Sequence, residues 1–478
     1  MRNQATGVPC SGVMSDHSPP FDHSVSRSAD RVAKARTDCN NRTGLVVGTL
    51  NVPDSHLPPS WRRLVFCVMA SAASARAAVP TWLDVELQAR SNLLVNDPGW
   101  NLPPGSSFNS ISASINNDGK VAFPVQIVPI DGDQSNTGVG VWSGSHGVGG
   151  IVALHEPPID GISDRVSINA SGDVAYYTYQ DGSSYRLRRF DAQTSLSAIV
   201  STLPLTPTSF NGHVINDSGV IGYRAGLGSG YGLASTGAGS SLLHIVDTNV
   251  EAGPYAYIYT PAMNAQRLIA SKVSIGDLNH NEIRSFASNG SYTTLAVDSA
   301  THAASPYNRF DNGLAYNESG QVAVALRLEA GNVRAIYRFT PNGGGVDAVE
   351  IARVEASGTI REIDSFSPAM NNSGLVVFRA RDANGQAIYT GDGTSLARVI
   401  GKEDAVVTDL GAGRIGQHID NPSSWPIFSG APAVNDSGDI AFVAALHPDG
   451  NTQVEWGTGV FVAYAAGDAI FENGFDDP

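Results

Sequence analysis

The chain has 478 residues, a formal charge of −15 and only 16% charged residues, alongside 51 glycines. Low charge with abundant Gly, Ser, Thr and Asn excludes a helical bundle, which needs more Leu, Glu, Lys and Ala, and indicates a turn-rich β protein. The acidic balance, with no Lys/Arg cluster, excludes a nucleic-acid partner, because phosphate neutralisation needs clustered cations.

Residues 1–60 lack hydrophobic periodicity and are rich in Ser, Asp, Asn, Arg and Pro, so they are expected to be disordered or untranslated in vivo. Arg62-Arg63 then precede the apolar run Leu64 to Ala73, followed by Ala75-Arg76-Ala77. Positive flank, short apolar run and small-x-small site are the order of a secretory signal, here residues 61–77, with cleavage near Ala77. The run is too short to span a membrane, and no transmembrane span is expected in the mature chain. A start codon near Val52 or Leu57 would put the signal at the N-terminus. Cys67 does not suit a lipid anchor, since Phe66 stands where a small residue is wanted. The three cysteines (Cys10, Cys39 and Cys67) all precede the cleavage site, so the rest of the chain has no disulfide framework and no thiolate chemistry.

Residues 80–464 carry seven copies of one motif, N-x-x-G-x-[V/I]-A-[F/Y]. The turns run Asn116 to Gly119, Asn169 to Gly172, Asn216 to Gly219, a degraded Asn264 to Arg267, Asn317 to Gly320, Asn371 to Gly374 and Asn435 to Gly438. Successive Asn residues are 53, 47, 48, 53, 54 and 64 apart. The flanks agree as well. An apolar residue precedes each Asn, as in Ile115, Ile168, Ile215, Met263, Tyr316, Met370 and Val434.

The physics of the motif is a β-hairpin. Asn starts a turn by bonding to backbone two residues on, and Gly three residues later supplies φ > 0. In the strand that follows, Val121 and Phe123 face one side and the small Ala122 the other, leaving room for a neighbouring sheet. Arg267 replaces the fourth Gly, where positive φ is costly, so a differently shaped turn is expected there. Further strand signals follow 17–25 residues after each Asn, such as Val141-Trp142, Ile283-Arg284 and Ile388-Tyr389. About four strands per 50-residue unit predict an all-β, seven-bladed propeller of four-stranded units. The seventh unit ends near Tyr464 after its third strand. Val85 to Val95 is expected to supply the fourth, so that the N-terminal strand of the mature chain closes the ring. The alternative is an open stack with separate caps.

The Asn-x-x-Gly-x-x-Ala-Phe pattern resembles the bacterial tandem-repeat proteins named for that motif, which carry varied C-terminal anchoring tails. The resemblance covers about residues 110–464 and implies a secreted or cell-surface protein, with the periplasm as the alternative; it implies no activity. The tail 465–478, with Ile470-Phe471-Glu472-Asn473-Gly474-Phe475-Asp476, resembles the short Ile-Phe-x-x-Gly-Phe-Glu endings of some exported gammaproteobacterial proteins. It is read as a sorting or processing tag.

No catalytic residue, cofactor site or metal site is assigned from sequence. Asp277 to Glu282 has the early spacing of a calcium loop, but Glu282 stands where Gly is needed and Ser288 where Glu is needed. No pair of histidines has metal-ligand spacing, and no Gly-x-Ser-x-Gly joins a strand to a helix. The long sixth unit is the exception to uniformity. Its loop carries His418, Asp420 and Trp425, which could stack on and hydrogen-bond a sugar, and long loops between repeat units often carry ligand contacts. The expected function is a monomeric, non-enzymatic binding module for an extracellular glycan or protein. The alternative is a secreted polysaccharide hydrolase or lyase with its site at the channel mouth. Two or more carboxylates with His or Arg at that mouth would favour the enzyme; a channel lined by the repeat's own Ala and Val would favour binding.

Overall fold

A computed structural model describes residues 79–91, 99–107, 111–127, 138–228, 230–237, 239–247, 254–416 and 427–466. The expected signal (61–77), His418, Asp420, Trp425 and all but the first two residues of the tail lie outside these residues.

The motif turns form as hairpins. The side-chain oxygen of Asn116 accepts the N–H groups of Asp118 and Lys120 at 3.1 and 2.9 Å, and Gly119 sits at φ +72° and donates to the Asn116 carbonyl. The fourth turn departs from expectation. It has the same shape as the others, with Arg267 at φ +64° donating to the Asn264 carbonyl. The strain of a left-handed non-Gly residue, about 1–2 kcal/mol, is offset because the Arg267 guanidinium donates to Ser235 Oγ and the Thr236 carbonyl at 3.0 and 3.1 Å.

The described residues form an all-β propeller arrangement of seven sheets, with one short 3₁₀ turn at Ala330–Asn332. In the third sheet the strands Ser209–Ile215, Ile221–Gly226, Tyr231–Gly237 and Ser240–Asp247 pair in sequence order, antiparallel throughout. Several innermost strands are broken. In the fourth sheet Tyr255–Ile258 and Ala262–Met263 both pair with Ile269–Ile275, with Pro261 between them. In the third and seventh sheets the register slips instead, at Gly212 and Gly430, both at φ +56°. Such bulges redirect side chains, and Gly212, Gly430 and Ala431 line the cavity at one end of the propeller.

The seventh sheet draws on both ends of the described chain. Trp82–Ser91 runs antiparallel to Gly457–Ala465, with Leu87 opposite Phe461. Part of the sixth unit's extra length is a hairpin, Ala405–Thr408 and Gly411–Ile415, which pairs with both Trp82–Ser91 and Ile440–Pro448. A bidentate pair from buried Arg90 to Asp409, 2.8 Å on each arm, fixes that hairpin.

Packing between sheets follows the small residue of the motif. Val121 and Phe123 share one apolar cluster with Ala441 of the seventh sheet. Ala122, on the opposite face, packs with Val174 and Tyr176 of the following sheet. Ala175 meets Ile221 and Tyr223 in the same way, and Ala323 meets Val376 and Phe378. Each of these four interfaces sets two bulky side chains against a methyl group, whereas Gly222 and Val377 hold that position in the third and sixth motifs.

Candidate functional site

The inner strands surround a central channel with two unlike mouths. Counting from the motif Asn as position n, one mouth is formed by the turns themselves. Asn116, Asn169, Asn216, Asn317, Asn371 and Asn435 line it, and every one of these amides is occupied. Asn116 Nδ2 donates to the Asn169 carbonyl at 3.0 Å, Asn169 to Asn216 at 3.1 Å, Asn317 to Asn371 at 3.1 Å, Asn371 to Asn435 at 3.2 Å and Asn435 to Asn116 at 3.0 Å. Asn216 reaches the Ala265 carbonyl at 3.2 Å. Among the described residues the Asn264 amide makes no such bond to the next sheet.

A second belt joins position n+1. The N–H groups of Ala170, Ala265, Glu318, Asn372 and Asp436 donate to side-chain oxygens of Asp217, Glu318, Asn372, Asp436 and Asn117 in turn. Two steps are missing among the described residues, those leading to Ala170 and Ala265, whose methyl groups offer no acceptor.

The middle of the channel is lined by Ala113, Val166, Val214, Ala262, Ala315, Ala369 and Ala433 among others. The opposite mouth opens into a cavity of about 490 Å³. Its n−4 tier consists of Ser112, Arg165, Gly212, Thr260, Gly313, Ser367 and Ala431, so six residues are small and neutral and one carries a guanidinium. The tier beyond adds Asp164, Asn211, Asn312 and Phe366, with Tyr177 and Tyr179 alongside. Tyr179 lies directly over Gly161, where a Cβ would fall 2.0 Å from the ring. Phe366 is 38% exposed, and the Arg379 guanidinium covers its other face at 4.1 Å.

Charges around this mouth are mostly spoken for. Arg379 holds the Asp364 carboxylate at 2.8 Å and the Gly430 carbonyl at 2.7 Å, and Arg334 holds Asp311. Lys272 Nζ donates to the Phe310 carbonyl and Asn312 Oδ1, both at 3.0 Å; burial pulls its pKa down to about 8. Arg165 differs. Its guanidinium has no hydrogen-bond or ion-pair partner among the described residues, and its Nε is buried and unmatched. Burial lowers its pKa, while the charge of Asp164 acts the other way. Beneath it His213, only 1% exposed, is held neutral. Burial first and Arg165 second bring its pKa down to about 3, against the backbone of Ala175 and Arg165.

Arg165 lies outside the repeat motif and the candidate loop. The signal lay in the n−4 column once the units are aligned on Asn, where one cation stands among Ser, Gly, Thr and Ala. The calcium-like stretch is a polar turn, because Asp277 Oδ1 accepts the N–H groups of Asn279 and His280 and contacts the His280 ring at 2.8 Å. Among the described residues no three His, Cys, Asp or Glu side chains are grouped to hold a metal ion, and no helix is long and apolar enough to cross a membrane.

Solved structures similar to the chain include TolB from Acinetobacter baumannii (12% identity over 56% of this chain and 60% of that one, TM-score 0.36). Others are an acylaminoacyl peptidase of Pyrococcus horikoshii (11%, 70% and 50%, TM-score 0.43) and a puromycin-hydrolyzing peptidase of Mycobacterium tuberculosis (11%, 79% and 56%, TM-score 0.44). The chain thus spans between half and three fifths of the length of each. No curated protein matches its sequence. A family model does match, over residues 168–475, and the chain belongs to that family, described as a family of unknown function (DUF7453).

Proposed function

We propose that this chain is an exported, seven-bladed β-propeller whose ring is joined by the strand Trp82–Ser91, and that it acts as a non-enzymatic binding module with its ligand in the Arg165 mouth. The observation that carries the reading is where the units stop agreeing. They agree through the turns, the cores and the Ala/Val stem of the channel, and they part at the mouth, where Arg165 stands without a partner among the described residues. A concave site with a few convergent polar groups is the usual form of a small-molecule site.

The ring reading is supported by the seven sheets, by the pairing of Trp82–Ser91 with Gly457–Ala465, and by the bond from Asn435 to Asn116. The hydrolase or lyase reading asks for two free carboxylates. At this mouth Asp164 is the one carboxylate that lines the cavity among the described residues, and nearby Asp311 and Asp364 are engaged by Arg334 and Arg379. The extracellular or surface address rests on residues 61–77, on the resemblance to the Asn-x-x-Gly-x-x-Ala-Phe proteins and on the tail.

Binding is tested by screening the full-length protein against soluble glycans and envelope peptides. The double variant Tyr179→Ala with Phe366→Ala is expected to lose the ligand that the parent retains; chemical conversion of that ligand on prolonged incubation would overturn the non-enzymatic reading. Export is tested by N-terminal sequencing of the protein from the culture fluid or envelope. The expected start is near Ala78, and a mature terminus upstream of Leu64 would refute it.

A further inference from the structure

We propose that the ligand seated in this mouth is an acidic saccharide, a sugar ring bearing a single carboxylate, and that Arg165 is the residue that recognises the carboxylate; this rests on the binding reading above.

An isolated charge withdrawn from water is costly, and proteins ordinarily pair it or give it hydrogen bonds. The neighbouring cations obey that rule. Lys272 has two oxygen acceptors, Arg379 a carboxylate and a carbonyl, and Arg334 a carboxylate. Arg165 has none of these, and it lines both the mouth and the stem of the channel. The six residues that share its tier are too small to reach across to it and carry no charge. A planar guanidinium with free N–H groups facing a cavity is matched to a carboxylate, which it can hold through two parallel bonds.

The rest of the lining selects what the carboxylate is attached to. The Thr260 hydroxyl donates to Asn211 Oδ1 at 3.1 Å, which leaves the Asn211 amide N–H groups as donors, Thr260 Oγ1 as an acceptor and Ser365 as both, a mixture that a ring of hydroxyls requires. Tyr179 and the exposed Phe366 offer flat apolar faces for the C–H side of a sugar. A volume of about 490 Å³ holds a small ligand and no folded partner. Asp164, at the rim, together with the chain's net charge of −15, opposes polyanions, so one carboxylate on an otherwise neutral ring is the form that fits.

The test is calorimetric titration of the full-length protein with glucuronate, glucose and inorganic phosphate, using the parent, Arg165→Gln and Asp164→Asn. Glucuronate is expected to bind the parent at least about tenfold more tightly than glucose does, since charge-assisted bonds are roughly twice as strong as neutral ones. Arg165→Gln should bring glucuronate down to the level of glucose, and Asp164→Asn should leave it equal or tighter. Equal glucuronate affinity in the parent and Arg165→Gln overturns the inference. Phosphate binding as tightly as glucuronate overturns the saccharide assignment. Equal binding of glucose and glucuronate by every form removes the carboxylate while leaving the binding reading intact, and no binding of either sugar by the parent overturns the inference without touching the glycan and peptide screen. Because Arg165 has no partner to lose, Arg165→Gln should melt at or above the parent temperature without ligand. A marked fall would reveal a structural role and count against the proposal.

Discussion

The side-chain amide of Asn435 donates to the main-chain carbonyl of Asn116 at 3.0 Å, across 319 residues of chain. Its oxygen meanwhile accepts the Asp439 N–H at 2.8 Å inside its own turn. The amide also donates to Asp439 Oδ2 at 2.8 Å, so one side chain shapes its own hairpin with both atoms and ties two sheets together with its nitrogen. Asn435→Asp keeps the acceptor, removes the donor and sets a carboxylate against the Asn116 carbonyl and the Asp439 carboxylate. A loss of about 1–3 kcal/mol is expected for this buried group. Asn264→Asp should cost less, because the Asn264 amide makes no bond to the next sheet among the described residues. Urea unfolding of both variants decides it; equal losses would show that the cross-sheet bond contributes nothing.

The second belt fails where Ala170 and Ala265 replace an acceptor. Ala170→Asn restores one for the Asn117 N–H, and it should raise stability by about 0.5–1 kcal/mol, the net worth of an ordinary hydrogen bond. The unfolding midpoint should move up without a change of slope. A midpoint at or below that of the parent would contradict the account of why the belt breaks.

Arg267 combines an unfavourable backbone with useful side-chain bonds. Arg267→Ala keeps the strain and loses the bonds, whereas Arg267→Gly loses both. Both variants should be less stable than the parent, with the glycine variant the better of the two by about 1 kcal/mol. An alanine variant as stable as the glycine variant would mean that the turn has no strain to relieve.

Ala441 fills the narrow side of an interface whose other side is Val121 and Phe123. Ala441→Leu should destabilise by about 1–3 kcal/mol or more through overpacking. Leucine at the exposed Ala170 is the control. Equal effects at the two sites would show that sheet spacing does not depend on the small residue.

His213 has a folded pKa of about 3 against an ordinary 6.5, chiefly through burial. As pH falls below about 6.5 the unfolded chain binds a proton that the folded chain refuses, so stability falls from there towards pH 3. Between pH 7 and 4 the parent should lose on the order of 1–3 kcal/mol more than His213→Phe. Parallel pH profiles for the two proteins would refute the assignment.

The propeller was legible because the turn has its own chemistry. Asn with Gly three residues later specifies a hairpin locally, and seven repeats of it specify many sheets. The bulky–Ala–bulky strand likewise announced how sheets approach one another. Other features were hidden for physical reasons. The second role of the Asn amide depends on the neighbouring sheet, which no local pattern encodes. The expectation of a differently shaped turn at Arg267 fails because the compensating Ser235 and Thr236 are contributed by another hairpin. The hairpin Ala405–Ile415 is not signalled by the motif, since its partner Trp82–Ser91 is remote in sequence. Arg165 was overlooked because a lone arginine is unremarkable until its tier is assembled from seven distant segments.

The pairing of Trp82–Ser91 with Gly457–Ala465 has a kinetic consequence. The Ser91 hydroxyl meets the Thr458 carbonyl 367 residues away, whereas the other sheets are built mainly from neighbouring segments. Joining the remote pair costs only about 2 kcal/mol more loop-closure entropy than joining segments 50 residues apart, because that cost grows with the logarithm of length. The delay is another matter, since non-local pairing slows folding. Six sheets can form from contiguous chain as it becomes available, while the strand Trp82–Ser91 waits as an unpaired edge for its partner. By the same reasoning the seam between Trp82–Ser91 and Gly457–Ala465 is expected to open early when the protein unfolds.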